Sequence, residues 1–173
     1  MWWHGLPCGN RLLSLTTIGW RVRVAIMALF LGTVLNKIDA KGRVSVPADF
    51  RAACGAEAFA GVVLFNSFTG TCIEGCTMSR MEKLSDAADG MDLFGEAAES
   101  LNSLIFSDAR QLLFDVTGRI VVPADLIKAA GIGGEALFVG RGKTFQIWAP
   151  AAFAEAQKQE RSKAKLARPT LRL

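Results

Sequence analysis

The chain has one histidine, His4, and no tyrosine among its 173 residues. Histidine is the side chain that most often moves protons in catalysis near neutral pH, and tyrosine is another proton donor. Their scarcity nearly excludes a histidine base, a His-rich metal site and a tyrosine acid. No nucleophile–base pair, phosphate loop or metal-ligand cluster emerges elsewhere. We therefore predict a protein that is not an enzyme and that has no metal, cofactor or small-molecule ligand.

Cysteine is also scarce: Cys8, Cys54, Cys72 and Cys76 are too few and too scattered for a disulfide framework. Cys54 ends an Ala-rich stretch and is predicted to be a small buried apolar residue. Cys72 and Cys76 could supply half of a zinc site, but the sequence has no second Cys/His pair to complete the four ligands. This usage is consistent with a reducing cytoplasm.

Acidic residues are absent from the start of the chain. Residues 1–27 carry three arginines and no acid, and residues 155–173 carry six basic residues against two acidic ones. The net charge of the whole chain is +4, so residues 28–154 sum to −3. The basic pI is therefore not by itself evidence that the folded part binds nucleic acid.

An internal repeat is the strongest positive signal. Residues 39–55 read DAKGRVSVPADFRAACG and residues 115–131 read DVTGRIVVPADLIKAAG, and the two copies align position by position without a gap. In each copy a glycine separates two half-apolar runs, where a tight turn or bulge with positive φ is needed. The β-branched residues that follow the glycine predict a strand.

The end of each repeat predicts a short helix. Pro47 and Pro123 end the strand, because proline cannot donate to a ladder, and they suit the start of a helix. Gly55 and Gly131 lie where a left-handed helix stop is expected. A hairpin follows each helix, with GRGK at 140–143 as a turn, since it lacks the spacing of a phosphate loop. Each unit is therefore strand, turn, strand, helix and hairpin, which gives an α+β fold that is mainly β.

The two units are separated by an acidic segment with helical spacing of its apolar residues. Residues 79–110 contain seven acidic residues, and Gly90 and Gly95 predict a break into two helices. An acidic connector of this kind is expected to be a solvated face and a poor candidate for touching phosphate. The C-terminal segment begins as a helix and ends in a Lys/Arg-rich tail.

Residues 1–26 hold three of the four tryptophans and show no clear period. Three interpretations are open: an extension upstream of a natural start at Met27, a secretory leader, or a functional arm. Arg21 and Arg23 before VAIMALFLGTVL resemble the leader of a secreted protein. That apolar run is about a dozen residues, too short to span a bilayer, which needs about 20. We favour the extension, disordered or produced by a misplaced start.

Candidate DNA-contacting residues are concentrated in the first copy. Long cationic side chains beside a rigid glycine turn suit phosphate contacts, and arginine can also read guanine edges with two hydrogen bonds. The second copy balances Arg119 and Lys128 against Asp115 and Asp125. If one copy contacts DNA, we therefore expect it to be the first. The expected contact residues are Lys37, Asp39, Lys41, Gly42, Arg43 and Arg51.

The second copy is expected to serve the fold. Asp115, Gly118 and Arg119 should form a structural turn in which the carboxylate accepts turn N–H groups or pairs with the arginine. Asp39 is expected to do the same for Arg43. One cationic patch binds DNA weakly, so assembly of several copies would raise the affinity.

Three stretches carry a resemblance to a known family: FLGTVLNKIDAKGRVSVPADFR, LIFSDARQLLFDVTGRIVVPADL and FVGRGKTFQIW. They closely resemble the MraZ family of bacterial transcriptional regulators, which have two tandem SpoVT/AbrB-like domains. The resemblance runs from about Phe30 to Pro150, and its two D-x-x-G-R turns followed by V-P are specific. The implied segments are an N-terminal extension at 1–29, SpoVT/AbrB-like domains at 33–78 and 109–152, an acidic helical connector at 79–108, and a basic C-terminal helix and tail at 153–173.

The resemblance implies a pseudo-dimeric swapped-hairpin barrel of the AbrB type, a double-psi or split β-barrel with short helices, and protomers that assemble into rings. It implies a sequence-specific regulator, expected to be a repressor, of the division and cell-wall gene cluster including its own promoter. Binding to short direct repeats would use the turn from Asp39 to Arg43. The implied partners are double-stranded promoter DNA and further copies of the chain, in the cytoplasm and on the nucleoid, with no membrane.

Two alternatives stay open. The first is an antitoxin-type autoregulator of the same barrel type, which usually has one copy of the unit and a long disordered toxin-binding tail. The second is a structural protein that uses the barrel only for assembly.

Overall fold

The computed structural model describes residues 29–55, 58–68, 70–89 and 103–167. Three sequence-based predictions fall wholly or mainly outside these ranges: the N-terminal extension, the break at Gly90 and Gly95, and the last residues of the basic tail. Within the described ranges the chain forms eight strands and five helices. None of the helices in these ranges is long and apolar enough to cross a membrane.

The order of elements in each repeat is the predicted one. The first repeat contains β1 (Thr33–Lys37), β2 (Arg43–Ser45), α1 (Ala48–Cys54), β3 (Gly61–Asn66) and β4 (Ile73–Cys76). The connector contains α2 (Met78–Asp89) and α3 (103–108). The second repeat contains β5 (Arg110–Leu113), β6 (Arg119–Val121), α4 (Ala124–Ala129), β7 (Glu135–Gly140) and β8 (Phe145–Trp148), and α5 (Pro150–Ala167) follows. The predicted α+β class with mainly β structure is confirmed.

The main sheet contains strands of both repeats. Its order is β1-β7-β8-β4-β3-β5, and all its pairings are antiparallel. Strand β1 of the first repeat pairs with β7 of the second, and the two hairpins meet where β8 pairs with β4. Strand β5 of the second repeat pairs with β3 of the first. The short strands β2 and β6 form a separate two-stranded ribbon. Neither repeat can complete its sheet alone.

An approximate two-fold axis relates the repeats. In the ribbon, Val44 pairs with Ile120, which is its counterpart in the second repeat. In the main sheet, Glu74 pairs with Gln146, which lies in the corresponding strand of the second hairpin. The buried Gln146 donates from Nε2 to Glu74 Oε1 at 3.4 Å and accepts from Trp148 Nε1 at 3.0 Å. A polar pair therefore lies where the two hairpins meet.

One helix stop differs from its prediction. Gly131 has the expected left-handed conformation, with φ +61°. Gly55 has φ −67° and ψ −9°, which is right-handed, so its predicted left-handed stop is wrong. Its N–H donates to the carbonyl of Ala52 at 3.1 Å, which closes α1 with a tight final turn. The Gly131 N–H donates to the carbonyl of Lys128 at the same distance of 3.1 Å with a positive φ, so this bond is compatible with either conformation of the glycine.

The core is shared by both repeats. One cluster of buried side chains contains Phe50 of α1 together with Phe138 and Phe145 of the second hairpin, and Phe30 before β1. Phe50 contacts the ring of Phe30 edge-on at a centroid distance of 5.3 Å and that of Phe145 at 5.5 Å. Such aromatic pairs add to the stabilisation that comes from buried area alone. This aromatic cluster thus joins the two repeats.

Replacing Phe50 by alanine tests the shared core. We expect Phe50→Ala to lower the free energy of unfolding by about 3–5 kcal/mol, the usual cost of a large cavity in a core. Because residues of both repeats line that cavity, urea denaturation followed by circular dichroism should still show one cooperative transition. Two separate transitions, with only the first repeat destabilised, would contradict a single core.

Candidate nucleic-acid interface

The ribbon of β2 and β6 presents one face to solvent. In both strands the residue pattern is exposed, buried, exposed, because side chains alternate between the faces of a strand. Val44 and Ile120 point into the core, each 1% exposed. The outward residues are Arg43, Ser45, Arg119 and Val121. The outer face of the ribbon therefore carries one arginine from each repeat.

The first turn holds its arginine in place through Asp39. The Oδ1 atom of Asp39 accepts the backbone N–H groups of Lys41 and Arg43, both at 2.9 Å. Its Oδ2 atom accepts Arg43 Nε at 2.7 Å, and 47% of the Arg43 side chain remains exposed. Both predicted interactions, turn N–H bonds and ion pair, are present. The outer end of the guanidinium is left to contact a ligand.

The second turn repeats this geometry with one addition. Asp115 Oδ1 accepts the N–H groups of Thr117 and Arg119 at 2.8 and 3.0 Å, and Oδ2 accepts Arg119 Nε at 2.9 Å. The Thr117 hydroxyl also donates to Oδ1, at 2.7 Å. Asp115, Gly118 and Arg119 therefore lie in one hydrogen-bonded turn. The extra hydroxyl bond comes from the residue that takes the place of Lys41.

Both carboxylates are stabilised in their charged form. The N–H and then the side chain of Arg43 lower the pKa of Asp39. The Thr117 hydroxyl, followed by the N–H of Arg119, lowers the pKa of Asp115 well below its ordinary value. Hydrogen bonds to the charged form act in this direction. At neutral pH each turn is therefore a fixed carboxylate–arginine pair.

Gly42 and Gly118 allow the turns to close. Both have φ +76°, a conformation that residues with a Cβ avoid. A Cβ on Gly42 would also collide with the carbonyl oxygen of Val122, a backbone atom of the other repeat. The requirement for glycine at these positions, predicted from sequence, thus has a local and a long-range cause.

The helix after each ribbon strand lies at the turn of the other repeat. Arg51 of α1 packs against the second turn, where a Cβ on Gly118 would lie 2.6 Å from its guanidinium carbon. Its Nε donates to the carbonyl of Val46 at 3.2 Å. Of the predicted contact residues, the structure therefore brings Asp39, Lys41, Gly42 and Arg43 together and places Arg51 beside the second turn.

Lys128 is a cation of the first turn that sequence reasoning did not assign to it. It lines the same groove as Asp39, Lys41 and Gly42, next to Ile127. The strand exchange explains this position, because α4 follows β6, which pairs with β2. A signal was available in the sequence: the resemblance implies that the two units interlock, and the pairing of β2 with β6 brings the helix after each strand to the opposite turn.

Lys37 is not among the residues that line the groove at the first turn. It is the last residue of β1 and pairs in register with Glu135 of β7. Asp125, which the charge count set against Lys128, lies 3.8 Å from Arg110. When charged residues are grouped by their position in the structure, the two turns therefore differ less in charge than the two repeats do along the sequence. The first turn has Lys41, Arg43 and Lys128, and the second has Arg51 and Arg119.

The cysteines and acidic residues in the described ranges do not form a metal centre. No group of three or more His, Cys, Asp or Glu side chains within these ranges is close enough to hold an ion. Cys72 is buried, and this burial raises the pKa of its thiol to about 11. The thiol is therefore protonated at neutral pH, whereas the metal ligand is the thiolate.

A family model described as "MraZ protein, putative antitoxin-like" matches residues 29–101 and 105–173, one match for each repeat. The chain belongs to the MraZ family. The chain is 42% identical to the transcriptional regulator MraZ of Rickettsia akari over 146 residues, 84% of this chain and 98% of that protein. It is 49% identical to that of Rhodospirillum rubrum over 130 residues, 74% and 84% of the two chains. The Pelagibacter ubique protein is 44% identical over 144 residues, 83% and 93%.

The pH dependence of stability should report the two aspartates. A carboxyl whose pKa is lowered in the folded state stabilises the fold above its unfolded pKa, near 3.8, and loses this contribution as the pH falls through the folded value. We expect the difference in unfolding free energy between the wild type and Asp39→Asn/Asp115→Asn to be constant above about pH 5. It should shrink below about pH 4, as measured by urea denaturation at each pH. A difference that persists unchanged in strong acid would contradict the charged turns.

The two glycines should respond differently to alanine. The strain of a positive φ, about 1–2 kcal/mol, applies to both. Gly42→Ala adds a collision with the Val122 carbonyl, whereas Gly118→Ala meets the flexible end of Arg51. We expect Gly42→Ala to lower the urea midpoint more. The matched control compares Gly118→Ala/Arg51→Ala with Arg51→Ala, because both lack the Arg51 side chain and its bond to the Val46 carbonyl and they differ only in the strain. Equal midpoints for the two single glycine variants would contradict the contacts.

Proposed function

We propose that the chain is a sequence-specific DNA-binding transcriptional regulator that places the β2–β6 ribbon in the major groove. The observation that carries this proposal is the pair of rigid turns that present Arg43 and Arg119 on one exposed face. The family membership and the relatives named transcriptional regulator MraZ support it. The major groove, about 12 Å wide, admits a two-stranded β-ribbon.

Arg43 is the proposed base-reading residue. Its Nε is held by Asp39 at 2.7 Å, so the guanidinium is oriented before DNA arrives and loses less conformational freedom on binding. Two hydrogen bonds to the O6 and N7 atoms of guanine are the most common specific contact of arginine. Asp39 acts as a positioning residue, and Gly42 allows the turn that holds this pair to close against the other repeat.

The other cations of the interface suit phosphate. Lys41 is exposed at the tip of the first turn, and Lys128 lines the groove beside it. Arg51, at the second turn, and Lys37, at the end of β1, extend the positive surface to the sides. Such contacts fix the position of the protein on the duplex without reading sequence. The proposed DNA-contacting set from the sequence is Lys37, Asp39, Lys41, Gly42, Arg43 and Arg51, with Lys128 added.

The interlocked strands support the finer description of the fold. The pairing of each first strand with the other repeat's hairpin is what a pseudo-dimeric swapped-hairpin barrel of the AbrB type requires. On this proposal, residues 33–78 and 109–152 are the two SpoVT/AbrB-like units, joined by the connector at 79–108. The extension at 1–29 and the tail at 153–173 precede and follow these units along the chain.

Assembly into a ring is part of the same proposal. Strand β1 lies at an edge of the main sheet, and several exposed apolar residues lie on it or just before it. They are Leu29 (46% exposed), Leu31 (65%), Val34 (37%) and Leu35 (50%). A sheet edge of this kind favours pairing with a further copy. A ring would repeat the interface and so bind short direct repeats through effective concentration.

We place this regulator in the cytoplasm and on the nucleoid. Its proposed targets are the division and cell-wall gene cluster and its own promoter, where it acts as a repressor. Repression follows physically if the ring covers several direct repeats and so excludes polymerase.

Replacing Arg43 by alanine tests the proposal. On a duplex from upstream of the protein's own gene, we expect Arg43→Ala to lower the affinity by about 5- to 150-fold, the worth of one base-reading arginine. Arg119→Ala should lower it less. Gel shift or fluorescence anisotropy at several salt concentrations gives the measurement, and the wild-type complex should weaken as salt rises.

The matched control is Arg141→Ala, since Arg141 is an exposed arginine in the β7–β8 turn, outside the ribbon. It should bind like the wild type, and light scattering should give all variants the same assembly. Equal loss of affinity in Arg43→Ala and Arg141→Ala would contradict the site. A wild-type protein that assembles but binds no DNA would favour the purely structural alternative.

A further inference from the structure

Two valines are exposed at the second turn and its strand. Val116, at the tip of the turn, is 105% exposed, and Val121, on the outer face of β6, is 56% exposed. Val121 pairs in register with Arg43, so an apolar side chain lies beside the proposed base-reading arginine. Within the described part of the chain, these are the most exposed valines.

The first repeat shows that the fold does not require these valines. Ala40 takes the place of Val116, and Ser45 takes the place of Val121. The turn around Ala40 has the same backbone hydrogen bonds: Gly42 N–H to the Asp39 carbonyl at 2.9 Å matches Gly118 N–H to the Asp115 carbonyl at 2.9 Å. The same backbone is therefore built with and without the two valine side chains.

The charged residues around the valines indicate which kind of ligand binds over them. The outer face of the ribbon carries Arg43 and Arg119, and Arg51 lies against the second turn. A protein partner would need acidic groups around a small apolar centre, whereas the major groove of DNA offers phosphates on both sides and one apolar group, the C5-methyl of thymine. Cationic side chains around exposed valines therefore match the phosphates and thymine methyl groups of the major groove.

We propose that Val116 and Val121 contact thymine C5-methyl groups, and that they make the second repeat the thymine-reading half of the interface. The inference rests on the proposed DNA-binding function and assigns a base chemistry to the half of the ribbon that was expected to serve the fold. Arg43 of the first repeat reads with hydrogen bonds, and the two valines of the second repeat read with apolar contacts, Val121 beside Arg43 and Val116 at the opposite end of the ribbon.

This asymmetry has a geometric consequence. A ribbon with two-fold symmetry would suit a palindromic site, because the symmetry of a protein is mirrored in its operator. That symmetry is broken on the exposed face, where the first repeat has Lys41 and Ser45 and the second has Thr117 and Val121. The buried pair of the ribbon, Val44 and Ile120, is apolar in both halves. The ribbon therefore has a direction along the DNA, as a short direct repeat requires.

The test uses DNA that differs only in the thymine methyl. A duplex from upstream of the protein's own gene is made by amplification with dTTP or with dUTP, which leaves base pairing and phosphate charge unchanged. We expect the wild type to bind the uracil duplex about fourfold less tightly for each thymine methyl that a valine covers. Val116→Ser/Val121→Ser should bind both duplexes equally. The control Leu104→Ser, an exposed apolar residue of α3 in the connector, should discriminate like the wild type.

Each outcome decides the proposal. Equal binding of both duplexes by the wild type would overturn it, and so would a double variant that discriminates as strongly as the wild type. In either case, a salt-sensitive complex that still depends on Arg43 would leave the DNA-binding function standing. If the wild type bound neither duplex, the proposed function and this inference would fail together. Thermal melting of the double variant should match the wild type, since both side chains are exposed.

Discussion

The pairing of β2 with β6 is the constraint on which the rest of the structure depends. Around the Val44–Ile120 pair, two reciprocal hydrogen bonds join the repeats: Val46 N–H to the Gly118 carbonyl at 3.1 Å, and Val122 N–H to the Gly42 carbonyl at 2.8 Å. The same glycines that close the turns thus accept hydrogen bonds from the opposite repeat. A change in one turn therefore affects the other half of the molecule, and the two turns are held in one rigid surface.

Local structure could be predicted from the sequence wherever neighbouring residues determine it. The positive φ of Gly42 and Gly118 follows from the x-Gly step between apolar runs, and the helix starts follow from Pro47 and Pro123, which precede α1 and α4. The wrong prediction of a left-handed helix stop at Gly55 also concerns local structure. A glycine permits a left-handed stop but does not require one, and a tight right-handed final turn competes with it.

The repeat alone could not predict which strands pair with each other. Alternation shows that β2 and β6 each bury one side chain, but it does not choose a partner from the distant repeat. This affects the site, because counting charges along the sequence assigned Arg51 to the first turn and Lys128 to the second. The exchange of strands reverses both assignments. Charge per repeat is a poor guide whenever the repeats interlock.

Fusion of the two units into one chain also explains why their surfaces differ. In a true dimer of a single unit, every substitution would appear at both turns, so a valine placed for one base would lie at both ends of the ribbon. In one chain, a buried position such as Val44 or Ile120 stays apolar because both halves share the core. The exposed positions are under no such restriction. The second repeat can therefore have Thr117 where the first has Lys41, at little cost in stability. The interlocked core thus supplies the rigidity of a symmetric dimer, and the single chain permits an asymmetric face.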